Sequence, residues 1–185
     1  MNKNKIIIGC DLHNTLLLSN EAWIKAYLHY NCNIDKDQLA KSIYNKESRK
    51  EISKKYNIDY EMVKNKYHEN CKPNIKLIMF IKMLKELDIP VLLISSSNKE
   101  KVDKDLLKLK NYIVFDKVYT KENFKKDNMK DWNRIIKENK ADLMIYIGND
   151  YDEDIIKNDK VVSILSGHFF KELKDVGILK ERGKK

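Results

Sequence analysis

Short apolar runs that end in polar turns alternate, over most of this chain, with longer stretches whose apolar residues recur every three or four positions. The runs read as buried strands: Ile6-Ile7-Ile8-Gly9-Cys10, then 90–94, a short one at 112–115, 143–147 and 161–165. Between them the helical period returns, at Ile78, Ile81, Met83 and Leu84, at Val102, Leu106, Leu107 and Leu109, and at Trp132, Ile135 and Ile136. Strands alternating with helices of this length predict an α/β fold, a mostly parallel sheet with helices on both faces. Residues 19–72 break the rhythm. They hold no strand-like run, only helical spacing at Trp23, Ala26, Tyr27 and Tyr30, at Leu39 and Ile43, at Ile52 and Tyr56, and at Met62, Val63 and Tyr67. This stretch is expected to be an all-helical insertion, with Asp35 and Asp59 as caps and Asn31 to Asn33 and Asn57 as breaks. Residues 171–185 alternate apolar and basic positions and suit a short helix with a frayed end.

Composition narrows the function classes. With 185 residues, 42% of them apolar, the chain can bury a real core. No stretch approaches the roughly 18 apolar residues of a membrane span, and the amino terminus has no signal-peptide pattern, so a cytoplasmic protein is expected. Cys10, Cys32 and Cys71 are too few and too widely spaced for a disulfide framework or a zinc site, and reduced thiols are expected. The net charge of +9 comes mainly from lysines spread over polar helix faces. A nucleic-acid surface more often clusters Arg with exposed aromatics, so attraction of small phosphorylated anions is the favoured use of the field.

Three of the predicted strands end in reactive side chains. The first delivers Asp11, followed by Leu12-His13-Asn14-Thr15; the second delivers Ser95-Ser96-Ser97-Asn98; the fourth delivers Gly148-Asn149-Asp150-Tyr151-Asp152-Glu153-Asp154. In an open parallel sheet the carboxyl ends of neighbouring strands share a ligand crevice. Hydroxyls and amides at the Ser95 turn, which opens a helix, suit a phosphate, and carboxylates from the first and fourth strands suit a hard cation such as Mg²⁺. Each feature also has a plainer reading. Asp11 can be a strand-end cap, Ser95 to Ser97 a turn and helix cap, and Asp150 to Asp154 a solvated helix start.

These residues, in this order, resemble the haloacid dehalogenase-like superfamily, whose pattern is a strand followed by Asp-x-Asp-x-Thr, a strand ending in Ser or Thr, a Lys, and an acidic Gly-Asp motif. The resemblance spans nearly the whole chain. It implies a three-layer, Rossmann-like α/β core built from residues 1–17 and 73–185, with a small helical cap at 18–72. It also implies a Mg²⁺-dependent phosphohydrolase in which Asp11 attacks phosphorus and becomes an aspartyl phosphate. Ser95, with Thr15 and Ser96, would hold phosphoryl oxygens, and the metal set would come from Asp11, the His13 carbonyl, Asn149, Asp150 and Asp154. Lys126 is the favoured third-motif lysine, because Trp132, Ile135 and Ile136 then follow it as the helix's apolar face; Lys130 is the reserve. Two positions depart from the pattern. His13 replaces the second Asp, where imidazole can do acid–base work, and Asn149 replaces the usual carboxylate.

The reading that follows is a phosphatase of a small phosphorylated metabolite, with Arg49, Lys50, Lys54 and Lys55 as cationic candidates on the cap. The alternatives are a degenerate member retained as a binding or regulatory module, and an enzyme acting on nucleotides or nucleic-acid ends. Substrate identity and oligomeric state have no readable code.

Overall fold

The structure, a computed structural model, describes residues 5–167. In chain order its elements are β1 (Ile6–Cys10), α1 (Ser19–Tyr30), α2 (Lys36–Tyr44), α3 (Arg49–Lys55), α4 (Tyr60–Asn70), α5 (Ile75–Glu86), β2 (Val91–Ile94), α6 (Lys99–Leu106), β3 (Lys117–Tyr119), α7 (Met129–Glu138), β4 (Leu143–Gly148), α8 (Tyr151–Asp154) and β5 (Val161–Leu165). The five strands form one sheet in the order β3-β2-β1-β4-β5, every pair parallel. The chain divides into two compact units, Leu17–Asn74 and the segments on either side of it. The predicted tail helix at 171–185 lies outside the described residues.

β1 takes the central place because it is apolar on both faces. It runs in register with β4 from Ile6 against Leu143 to Cys10 against Ile147, and with β2 from Ile8 against Val91. On one face Ile7, Leu92, Ile94, Met144 and Tyr146 meet Trp132, Ile135 and Ile136 of α7, which supplies its stripe at positions i, i+3 and i+4. Full burial of each such side chain contributes roughly 1.5–3 kcal/mol. Gly9 lies between these side chains for a spatial reason: a β-carbon there would come within 3.0–3.2 Å of Ile94, Tyr146 and Met144.

The helical unit is built on its own aromatic core. Trp23 of α1 stacks on Tyr67 of α4 at 4.2 Å between centroids, and the buried Tyr27 hydroxyl donates to the Arg49 carbonyl at 2.6 Å. Asp35 caps α2 through the amides of Asp37 and Gln38, and Asp59 caps α4 through that of Met62. Asn57 breaks the chain with a left-handed φ of 52°, a conformation asparagine tolerates.

The third strand is not at 112–115 but at Lys117–Tyr119. Of the expected run only Ile113 is buried, whereas Val114 is 70% exposed and its carbonyl accepts from Lys85 Nζ. Asp116 instead docks the chain on β2, its carboxylate and amide both bonded to Val91, and the pairing starts one residue later. As an edge strand β3 needs one buried face only, so a mixed Lys-Val-Tyr sequence suffices and leaves little apolar signal. Apolar periodicity also overshoots at helix ends. α6 stops at Leu106, and Leu107 and Met83 are exposed.

Candidate functional site

Asp11 leaves β1 at the carboxyl edge of the sheet, where its amide donates to the Ile147 carbonyl at 2.8 Å and holds the exit against β4. The turn then needs a left-handed residue, which Asn14 provides at φ 58°. Buried Leu12 and Thr15 anchor the turn on either side, and the Asp11 side chain is left 10% exposed.

Lys126 reaches this carboxylate from the loop before α7. Its Nζ lies 2.9 Å from Asp11 Oδ1 and 2.7 Å from Asp154 Oδ1. The loop is fixed in turn by the buried indole of Trp132, whose Nε1 donates to the Lys126 carbonyl at 2.8 Å. Asp154, at the end of the single-turn helix α8, is the more heavily bonded carboxylate. Besides Lys126, its Oδ1 accepts from the Tyr146 hydroxyl, and its Oδ2 accepts from the amides of Asn149 and Asp150. Gly148 makes that closure possible, since a β-carbon at 148 would overlap the Asp154 side chain.

The charges follow from this unequal sharing. Burial pulls the Lys126 pKa down, but Asp11 and Asp154 together pull it further up, so the ammonium stays charged. For Asp11, burial dominates and raises the pKa, with Lys126 only partly offsetting it and Asp154 adding to the rise. Two carboxylates share one ammonium, and Asp154 has the better hydrogen bonds. Burial and both carboxylates likewise push the Tyr146 phenol well above its ordinary range.

The other candidate residues fall into three groups. Thr15 donates to Asn149 Oδ1 at 3.3 Å and so links the first-strand turn to the fourth-strand loop. Ser95 ends β2 next to β1, buried, with its Oγ accepting from the Ser97 amide, and Ser96 beside it is exposed. Lys130 lies outside this cluster, exposed in the first turn of α7. Asp150 caps α8 through the amides of Asp152 and Glu153. His13 turns its Nε2 to Asp105 Oδ2 at 2.8 Å. In the helical unit, Arg49 donates to the carbonyls of Glu47 and Ile43, and Lys50 and Lys55 lie over the rings of Tyr60 and Tyr56.

For a metal, the donor set is of the oxygen type that suits Mg²⁺: the Asp11 carboxylate, the His13 carbonyl, Asn149 and Asp150. Asp154 fits poorly, because both of its oxygens are already engaged by protein donors. Among the described residues no three His, Cys, Asp or Glu gather at one point to hold a metal. The residues that could hold a cation are therefore the carboxylates of Asp11 and Asp150 with the neutral oxygens of His13 and Asn149. Beside Lys126 a cleft of about 730 Å³ opens, lined among others by Ser96, Lys121, Phe124, Lys125 and Ile155.

Sequence reasoning passed over four residues of this region. Tyr146 read as one more apolar strand position, and Trp132 as core alone. Asp105, the partner of His13, and Lys108, the partner of Asp105, do not stand out among the polar positions of their helical stretch. A signal existed for Asp105, which falls three residues after Val102 and four before Leu109, on the apolar side of its helix.

A parallel sheet of this strand order, with a carboxylate–ammonium–carboxylate cluster at its carboxyl edge, defines a Rossmann-like α/β protein with a polar reaction-type site. The family model described as haloacid dehalogenase-like hydrolase matches residues 1–161. The chain belongs to that family and is a hydrolase by membership. Among solved structures it is similar to a hydrolase from Streptococcus pneumoniae TIGR4, with TM-score 0.65 and 18% identity, covering 94% of this chain and 99% of that one. A protein predicted to be a phosphoglycolate phosphatase from Haemophilus somnus 129PT gives TM-score 0.53 and 9% identity over 83% of this chain and 81% of that one. A protein provisionally named beta-phosphoglucomutase from Thermotoga maritima gives TM-score 0.52 and 14% identity over 93% and 99%. At these identities the likenesses speak for the fold. No curated protein sequence is significantly similar to the chain. No helix among the described residues is long and apolar enough to cross a membrane.

Proposed function

We propose that this hydrolase is a Mg²⁺-dependent phosphatase of a small phosphorylated metabolite, working through a phosphorylated Asp11. The observation that carries the reading is the buried Asp11 carboxylate at the exit of the central strand, 2.9 Å from the Lys126 ammonium, in a chain of this family. Asp11 is the less satisfied of the two carboxylates, which suits a group that must form a new bond. It attacks phosphorus in line, the bond to the ester oxygen breaks, and His13 gives that oxygen a proton. Water then attacks the aspartyl phosphate with His13 taking its proton, and inorganic phosphate leaves. Lys126 stabilises charge on the transferring group, Asp154 and Tyr146 hold Lys126 in place, Ser95 and Ser96 offer donors to phosphoryl oxygens, and Thr15 would join them only by releasing Asn149 Oδ1. Asp11, the His13 carbonyl, Asn149 and Asp150 would hold the metal, which when bound neutralises charge between carboxylate and phosphate.

The cleft beside Lys126 carries Lys121, Lys125 and Lys157 but also Asp127, Asp152 and Glu153, and its volume suits a small substrate. Three free cysteines agree with a reducing, cytoplasmic setting. The test is a panel of phosphate esters with Mg²⁺. Turnover that disappears in Asp11→Asn, with the fold retained by circular dichroism, supports the reading; equal turnover in Asp11→Asn ends it. The neutral Asn149 and the engaged Asp154 favour a second reading, a non-catalytic anion-binding member. It predicts no turnover of any ester, together with phosphate binding that Lys126→Met abolishes.

A further inference from the structure

His13 is held by a second carboxylate that belongs to no part of the cluster around Asp11. Asp105 is fully buried on α6, one turn after the buried, apolar Val102 and close in sequence to the buried Leu109 just beyond the helix end. A carboxylate in such a place is costly unless paired. Its two oxygens are divided between two donors, Oδ2 to His13 Nε2 at 2.8 Å and Oδ1 to Lys108 Nζ at 3.2 Å. A carboxylate only accepts, so Nε2 must carry the proton on that bond. The His13 side chain remains 17% exposed, and Nδ1 is the ring nitrogen that Asp105 leaves for chemistry.

We infer that Asp105, braced by Lys108, is a positioning residue that sets the orientation and tautomer of His13 and so makes Nδ1 the nitrogen that exchanges a proton with substrate. The inference rests on the phosphohydrolase reading and adds a residue pair to it. An imidazole in place of an aspartate needs such a device. A carboxylate offers equivalent oxygens, whereas a ring whose two nitrogens differ acts only if the correct one is presented.

The substitution Asp105→Asn separates charge from shape. The Lys108 ammonium can only donate, so it claims the amide oxygen, and the amide NH₂ is turned to His13 Nε2. Nε2 must then accept, and the proton moves to Nδ1. In the double variant Asp105→Asn with Lys108→Met nothing claims the oxygen, which can turn back to Nε2 and restore the first tautomer.

Nitrogen-15 correlation spectra of the imidazole rings read this directly, with the His13 signals among the four histidines assigned by their loss in His13→Gln. The expected result is a protonated Nε2 in the wild type, a protonated Nδ1 in Asp105→Asn, and reversion in the double variant. With an active ester, kcat falls about a hundredfold in Asp105→Asn, KM stays near the wild-type value, and kcat partly recovers in the double variant. A His13 ring pattern unchanged by Asp105→Asn overturns the inference, as does an inverted tautomer with unchanged kcat. If the wild type turns over no ester, the phosphatase reading fails by itself, and the ring spectra still decide whether Asp105 sets the tautomer.

Discussion

Replacing Lys126 with Met removes the cation between two buried carboxylates and keeps most of the side-chain volume. The gross attractions are large: at 2.9 and 2.7 Å, each is about 6 kcal/mol at an effective dielectric of about 20. Burying an ammonium costs several kcal/mol, so the pairs stabilise the fold by far less than that sum. The variant, however, keeps the cost of both carboxylates without their counter-ion. All three side chains are nearly buried, at 9%, 10% and 2% exposure, so solvent screens little of the effect. The expected loss at pH 7 is about 3–5 kcal/mol, a large part of the roughly 5–15 kcal/mol that a domain has. In urea titration followed by tryptophan fluorescence, that is a midpoint shift of about 1–2 M.

The loss also has a pH signature. Without the ammonium, the Asp11 carboxyl, which burial already raises, lies further above its unfolded pKa, so the folded variant binds a proton that the unfolded chain does not. Its stability then falls as pH rises through that window, and the deficit against wild type shrinks as pH is lowered from 7 towards about 5. In the wild type the raised Lys126 pKa works at the other end: its contribution is complete below the ordinary lysine range and is lost only as pH climbs through the raised value. A variant midpoint within about 0.3 M of wild type, or a deficit that grows on acidification, would refute this account of the cluster.

Three further outcomes follow from particular contacts. Gly148→Ala forces Asp154 off the amides of Asn149 and Asp150, so it should lose at least the 1–3 kcal/mol (approximately) of an overpacked core and lose ester turnover with it; wild-type melting and turnover would show that the Asp154 closure is dispensable. Of the three thiols, exposed Cys32 should react quickly with a disulfide reagent in the native protein, while Cys10, whose pKa is raised by burial and by Asp11, and buried Cys71 should react only on unfolding; more than one fast thiol contradicts the burial pattern. Asp35→Ala deletes two amide bonds at the start of α2 and should cost about 1 kcal/mol, read as a melting shift of about 2–4 °C; no shift means the cap is solvated without loss.

The legibility of this chain followed the physics of burial. Strands β1, β2, β4 and β5 are buried on one or both faces, so they declare themselves as apolar runs, whereas the edge strand β3 needed only Tyr119 and was misplaced onto 112–115. The helices of Leu17–Asn74 were visible through period and caps, with Asp35 and Asp59 bonded as N-caps read from sequence. At the site, residues at strand ends were legible because polar side chains after an apolar run have few structural uses. Roles that depend on partners were not. Asp150 and Asp154 look alike in sequence, yet one caps α8 and the other clamps Lys126.

Local patterning, then, was enough to specify a parallel α/β sheet, a helical insertion and an Asp11 at the edge where strands end, because hydrophobic period and chain order act over a few residues. Partnership across 115 residues, as between Asp11 and Lys126, or 92, as between His13 and Asp105, was settled by the fold alone. Pairing energies depend on distance and on exclusion of water, and both arise only when separate segments are packed against the same sheet edge.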